Sequence, residues 1–309
     1  MTTLHWILLV AFAIFLGLYA RSPKRPQLAF SYLRWATMLG VSVVVLAPFL
    51  WLVASAFKDA LVLNDYIFFP PLSEWSEKTV NLENFRRLFA GDNAVQGTVY
   101  FWQYVLNSTF IATTNTVLQL AFCSAGGFAL AKYDFHGKRA LMVFMLGTMM
   151  IPTVLLFAPV YEILVKLGLI DTYQGLILPS IVSAYGIFLF RQAMLAVPDE
   201  MLDAGRMDGC SELQVYYRLA LPLVRPMSAA FCLLTFLSQW NAFFGPSVFL
   251  QAQDKLTLPV VLNQYINYYR SEYGIYLAGT LLAIIPPAIL FFALEKEFVS
   301  GLTAGAVKG

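Results

Sequence analysis

Read for hydrophobic and polar positions, the chain falls into seven long apolar runs separated by polar segments. The runs are Leu4 to Ala20, Trp35 to Phe57, about Trp102 to Ala131, Ala140 to Val165, Tyr173 to Phe190, about Met227 to Leu250, and Gly274 to Leu294. Each is long enough, or nearly so, to cross a bilayer as a helix, which needs about 20 apolar residues. Pro48, Pro152 and Pro159 lie inside the second and fourth of them, as membrane helices tolerate. The third run carries Ser108, Ala112, Asn115 and Gln119 on one helical face, with Thr109, Thr113 and Thr116 beside it. A polar stripe of that width faces other helices or a cavity, and interhelical hydrogen bonding explains it as well as a pore lining does. Between the second and third runs the chain is polar and proline-bearing, with room for a small surface helix at Asn81 to Phe89.

Composition sharpens the picture. Hydrophobic residues make up 59% and charged residues 12%, with mean hydropathy +0.68. A soluble domain carries roughly twice that charge fraction. The expected fold class is therefore all-α and membrane-embedded. Leu4 to Ala20 competes with a signal peptide, but Arg21, Lys24 and Arg25 follow the run instead of preceding it. That helix has almost no polar face, so it is expected on the outside of the bundle as an anchor. Residues 1–34 then form an extra N-terminal helix with its linker, and residues 35–309 a six-span domain. A net charge of +2 without a basic cluster gives no sign of nucleic acid. Cys123, Cys210 and Cys232 make no paired framework, and His5 and His136 cannot build a metal site from such partners. No phosphate-binding G-x-x-x-x-G-K-[ST] occurs, so this chain is expected to bind no cofactor.

Seven spans put the two termini on opposite sides. The 21–34 linker, the 132–139 turn, the 191–225 loop and the tail share one side, which holds 13 of the 20 basic residues. That side is expected to be cytoplasmic and the N-terminus extracytoplasmic.

One polar segment has a grammar of its own. In VPDEMLDAGRMDGCSELQVYYRLALPLVRP, Val197 to Pro226, Pro198 opens a short helix and Asp199, Glu200 and Asp203 crowd its positive end. Gly209 suits the left-handed cap that ends it, and Pro222 and Pro226 limit how the next segment can begin. A plain amphipathic connector accounts for these caps and charges too. The spacing adds more: Asp203-Ala204-Gly205, three residues, Gly209, nine residues, Leu219, one residue, Leu221-Pro222. It resembles the EAA loop of the membrane subunits of ATP-binding-cassette importers, with Asp203 in place of Glu, Gly205 in place of the second Ala, and Leu219 in place of Ile. Asn107-Ser108, Met150-Ile151-Pro152, Phe188 to Gln192, Trp240-Asn241 and Gly301 to Gly309 resemble the maltose-type carbohydrate permeases in order and spacing. The resemblance runs from about Trp35 to the last residue.

That resemblance implies a bacterial-type inner-membrane permease subunit, not itself an enzyme, whose 191–225 loop contains a coupling helix. Its implied partners are a second permease subunit, a cytoplasmic ATPase dimer and an extracytoplasmic solute-binding protein. ATP and Mg would be used by the ATPase. Candidate coupling residues are Glu200, Asp203, Ala204, Gly205, Asp208, Gly209, Leu219 and Pro222. The tail would insert between the ATPases or form a disordered end. Ser108, Asn115, Gln119, Gln239, Trp240 and Asn241 offer hydroxyl, amide and aromatic groups without charge, which suits a neutral polyol; bundle packing is the competing role. An ion-coupled transporter or channel subunit stays open as another class, as does an importer of a non-sugar solute. The first needs ionisable residues at mid-membrane, where these spans hold none; Glu162 lies near an end.

Overall fold

The computed structural model describes residues 27–94, 97–266 and 272–306, together with positions 14 and 17, and side chains as far as 297. The expected first span, Leu4 to Ala20, thus lies almost wholly outside the described residues, as does the end of the tail. The chain divides into two compact units, residues 1–84 and 85–309.

In the first unit, α1 (Gln27–Phe57) is a 31-residue apolar helix with Pro48 inside it. The turn after it is organised by a buried cation. Lys58 donates from Nζ to the carbonyls of Leu63 at 3.1 Å and Tyr66 at 2.6 Å, while Asn84 donates to the carbonyls of Ala56 at 3.0 Å and Lys58 at 2.8 Å. Burial lowers the pKa of Lys58. The expected surface helix is present as α2 (Glu83–Ala90).

The second unit is built on α3 (Phe101–Lys132), a 32-residue helix whose buried face runs from Tyr104 to Phe128. A short antiparallel ribbon, β1 (Asp92–Ala94) with β2 (Gly97–Val99), precedes it and was not foreseen in the sequence. Next come α4 (Lys138–Thr148), α5 (Phe157–Lys166), α6 (Tyr173–Ile177), α7 (Ala184–Leu195) and α8 (Asp199–Met207). A composite segment comes after these: α9 (Glu212–Gln214), a π-helical stretch Val215–Ala220 and α10 (Leu221–Leu223). The remainder is α11 (Arg225–Trp240), α12 (Phe244–Phe249), α13 (Leu258–Gln264), α14 (Tyr273–Ala283) and α15 (Ile285–Ala306). The most extensive packing is of α3 on α7 and α11, and of α11 on α15. Two glycines allow the close approach. A Cβ at Gly127 would sit 2.7 Å from the Arg191 nitrogen, and one at Gly186 2.8 Å from Cys123 Sγ.

Where the hydropathy reads as unbroken spans, the backbone breaks. By length and composition, Phe30–Phe57 and Tyr273–Glu297 can each cross a membrane whole. Three further pairs qualify only as bent spans: Lys138–Thr148 with Thr153–Lys166 (94°), Tyr173–Ser180 with Ala184–Leu195 (44°), and Glu212–Leu223 with Arg225–Trp240 (83°). Proline at or near each break, at 152, 179 and 226, cannot donate the helical hydrogen bond. Ser183 then caps the restart by accepting from the Gly186 nitrogen at 3.2 Å. The span expected at Met227 to Leu250 likewise stops at Trp240 and resumes as α12. Despite its length, α3 is less apolar on average than the Phe30–Phe57 and Tyr273–Glu297 helices, because its polar face dilutes the apolar one.

The two ends of α3 hold different loops. Near its start, Asn107 donates to the carbonyls of Asp254 at 2.8 Å and Leu256 at 2.9 Å. At its finish, Lys132 reaches the segment around Val197.

Candidate functional site

The segment singled out in the sequence forms a helix that is tied down on one side and open on the other. Pro198 takes the N-cap position and Asp199 and Glu200 fill the first turn of α8. Gly209 closes it at φ +85°, with its nitrogen donating to Arg206 O at 3.0 Å and the Cys210 nitrogen to Gly205 O at 3.0 Å. Ser211 and Gln214 then form a reciprocal capping box that starts α9. The π-helical stretch comes just before Pro222, which lacks the N–H that would close the turn on Arg218.

The buried side of α8 is apolar. Leu202 joins Val197, Met194, Phe128, Val215, Ala220 and Val224 in one cluster. Gly205 faces Leu219, whose Cδ1 stands where a Cβ at position 205 would go. Around this core runs a polar frame. Lys132, with only 5% of its side chain exposed, donates to Val197 O at 2.5 Å and to Asp199 Oδ1 at 2.7 Å. Arg206 grips Glu212 through two hydrogen bonds of 2.9 and 3.1 Å and reaches Asp203 at 2.7 Å. Tyr133 donates its hydroxyl to Glu212 as well.

These contacts set the local electrostatics. Glu212 is held below the usual carboxylate range, first by the Arg206 hydrogen bonds and then by Tyr133, and Arg206 is raised by Glu212 and Asp203. Asp199 is lowered by its bond to Lys132. Desolvation raises Tyr133, with Glu212 adding to it. Lys132, Tyr133, Arg206 and Glu212 were not among the candidates from sequence; only the repeated charges around the two loops hinted at them.

The sequence candidates divide by exposure. Glu200, Asp203, Ala204, Asp208, Gly209 and Pro222 are placed toward the surface, whereas Gly205 is buried and Leu219 lies against it. Asp203 is 64% exposed but already paired within its own helix. Met201 and Met207 flank it, Met207 at 88% exposure. The open face is thus acidic and methionine-bearing, a combination suited to a protein partner.

The candidate substrate residues do not all meet. Ser108 and Gln239 line a cavity of about 380 Å³. Asn115 is buried beside it, accepting from Ser180 Oγ at 2.7 Å. Gln119 is buried on α3 and lies outside the cavity lining. Trp240 is buried too, stacked on Phe236 and donating to Ala283 O at 3.2 Å, which is a packing role. Asn241 is exposed and bonds back to Leu237 O at 2.9 Å. The sequence reading missed Thr153, Phe157, Ser180, Phe249 and Thr257, which also line the cavity.

At the cavity's end of α3, Asp171 clamps two loops. Its Oδ1 accepts from the Gln251 and Ala252 nitrogens at 2.9 and 3.0 Å, and its Oδ2 meets Lys255 at 2.8 Å. Desolvation raises the carboxyl, but the Ala252, Lys255 and Gln251 donors outweigh it and leave it lowered.

Residues 120–297 match the family described as binding-protein-dependent transport system inner membrane component. The chain is 36% identical over 283 residues to an arabinooligosaccharides transport system permease protein of Halalkalibacterium halodurans, covering 90% of this chain and 97% of that one. It is 31% identical over 262 residues to a lactose transport system permease protein of Rhizobium radiobacter, covering 84% and 90%. Its fold matches a chain of a bacterial ABC transporter involved in the import of the acidic polysaccharide alginate, with TM-score 0.73, 23% identity and coverage of 89% and 98%.

Proposed function

The chain belongs to the family of binding-protein-dependent transport system inner membrane components, and from that premise we propose that it is the permease subunit through which an ATP-driven importer passes a neutral carbohydrate. The relatives named for arabinooligosaccharides and lactose support the cargo class. The observation that carries the mechanism is α8, a short helix fixed to the bundle by Lys132 and Leu202 with its acidic face exposed.

In this reading α8 is the coupling helix and lies in the cytoplasm against one subunit of an ATPase dimer. ATP and Mg are used there and not by this chain. A second permease subunit completes the pathway, and an extracytoplasmic binding protein delivers the sugar. The distribution of basic residues supports a cytoplasmic 191–225 loop and C-terminus and an extracytoplasmic N-terminus. Contacts of Lys132 with Val197 and Asp199 support placing the 132–139 and 191–225 segments on one side. Six spans of the 35–309 domain, bent where the prolines fall, plus the N-terminal helix make seven. ATPase closure pushes α8, and the spans attached to it tilt to open the pathway on the other side.

Affinity purification of the chain from its native membrane tests this. The expected result is co-isolation of a second permease and an ATPase whose hydrolysis rises with sugar-loaded binding protein. A chain recovered without any ATPase overturns the reading.

A further inference from the structure

The cavity that receives Ser108 and Gln239 is built unevenly. One wall is aromatic: Phe157 and Phe249 stack with ring centroids 4.9 Å apart and planes 17° from parallel. The remainder carries neutral polar groups, the hydroxyls of Ser108, Thr153, Ser180 and Thr257 and the Gln239 amide. Among the described residues, no Asp, Glu, Lys, Arg or His lines it. One polar group of this wall, and one buried behind it, have unspent capacity. Thr257 is 4% exposed, and among the described residues its buried Oγ1 has no hydrogen-bond partner; nor has Nδ2 of the fully buried Asn115, whose Oδ1 accepts from Ser180. Buried polar atoms are paired in nearly all folded structures, and an orphan costs about 1–3 kcal/mol. An orphan hydroxyl on a residue of the cavity wall is a group that a polar ligand can satisfy.

The geometry points to a sugar-ring subsite within this subunit. A pyranose or furanose ring sets its C–H groups against the Phe157–Phe249 pair and turns its hydroxyls toward Thr257, Ser108 and Gln239. Aromatic faces take C–H groups, while hydroxyls need the donors and acceptors opposite. About 380 Å³ is at the small end of the range for ligand pockets, roughly 300–1,000 Å³. It holds one or two rings of a chain, not a long oligomer. Without a cationic lining the subsite rejects carboxylated or phosphorylated sugars, whose charge would enter unpaired. This rests on the proposed function above and deepens it: the permease itself, and not only the binding protein, selects a neutral ring.

Two variants test the subsite in the assembled complex, each first shown to co-purify with the ATPase. Thr257→Val keeps shape and β-branching but removes the hydroxyl; the Thr257 side chain caps nothing, so α13 retains its start. Gly245→Leu fills the cavity. Gly245 is on its wall, and a Cβ there meets only Leu176 Cδ2 at 3.9 Å, leaving room for the backbone as it stands. Equilibrium binding of radiolabelled arabinotriose, lactose and maltotriose is measured on the complex in nanodiscs, with the binding protein omitted. Wild type is expected to bind at least one of them saturably. Thr257→Val should weaken that binding roughly 2- to 12-fold, the span of one net hydrogen bond, and Gly245→Leu should abolish it. No saturable binding to wild type, or an unchanged Kd in Thr257→Val, overturns the subsite. Uptake into proteoliposomes with ATP and binding protein separates the two claims. Neutral-sugar uptake together with a failed binding test leaves the proposed function standing and removes the subsite. Wild-type uptake of only an acidic or non-sugar solute removes both.

Discussion

Leu219 Cδ1 occupies the space into which a side chain at Gly205 would grow. Both positions depart from the E-A-A-x₃-G-x₉-I-x-L-P pattern, and the structure joins the two departures into one packing exchange. The smaller residue on α8 leaves room for the longer reach of leucine from the π-helical stretch. A cycle of Gly205→Ala and Leu219→Ile should therefore be non-additive. Gly205→Ala alone should lower ATPase recovery on the purified permease, since Leu219 must swing aside. In the Leu219→Ile background the same change should be neutral or favourable, because alanine is the better helix former. The expected coupling is about 0.5–1 kcal/mol, at the lower end for residues in contact. Additive effects would mean that the two departures are unrelated.

Gly209 can separate cap from docking. Nothing among the described residues stands within 4 Å of a Cβ there, but the φ of +85° strains most L-residues. Valine should break the cap, at about 1–2 kcal/mol. Asparagine tolerates the left-handed region and keeps the cap while adding bulk. Reduced ATPase recovery with Gly209→Asn, at an unchanged melting temperature, is the expected sign that a partner surface comes close. Loss with valine only would assign the glycine to the cap.

Asp203→Lys should weaken ATPase association and leave membrane insertion intact. Part of its effect is internal, because Arg206 loses one carboxylate but keeps Glu212. Exposed pairs of this kind are worth about 0–1 kcal/mol. Asp203→Asn, which removes charge without adding repulsion, should therefore fall between wild type and lysine. Equal ATPase recovery for all three would show that the acidic face is not what docks.

Lys132→Met should disorganise the 191–225 loop by removing a direct tie to it. Its ammonium satisfies the Val197 carbonyl and Asp199 from a nearly buried position. Removing a hydrogen bond to a charged group costs roughly 1.5–3 kcal/mol. The expected outcome is retained pairing with the second permease, a lower melting temperature, and ATP hydrolysis that no longer responds to loaded binding protein. A normal response would confine Lys132 to a stabilising role.

Asp171 gives one pH dependence, beside those of Asp199 and Glu212. Its folded pKa lies below the unfolded value of about 3.9. The carboxylate therefore contributes stability that is present above that pH and is lost as pH falls through the folded value. Wild type should lose melting temperature below about pH 4. Asp171→Asn should start lower at neutral pH and lose less over the same range. Parallel curves would show that the clamp adds nothing.

Much of α8 was legible because its signals are local. Pro198, the acids after it and Gly209 mark both ends within a dozen residues, and the helix falls at Asp199–Met207 as they direct. The polar stripe on α3 was legible for the same reason, and Ser108, Asn115 and Gln119 are all buried. The breaks near residues 152, 179 and 226 were not, because proline in an apolar run is compatible with a straight, kinked or interrupted span. Trp240 and Asn241 were drawn to the pathway by residue type; the structure turns one into the bundle and the other back on its own helix. Lys132 with Asp199, Gly205 with Leu219 and Phe157 with Phe249 depend on which segments meet, and a hydrophobic pattern carries no such pairing.

The length of α3 has a mechanical consequence. Ser108 and Lys132 are separated by about 36 Å of uninterrupted helix at 1.5 Å per residue. One end forms part of the cavity wall and the other holds the loop that carries α8. A continuous helix joins the two places, so a displacement of the loop has a path of packed backbone to the cavity wall. In the proposed mechanism, α3 is then the direct connection between the cavity and the helix that would meet the ATPase.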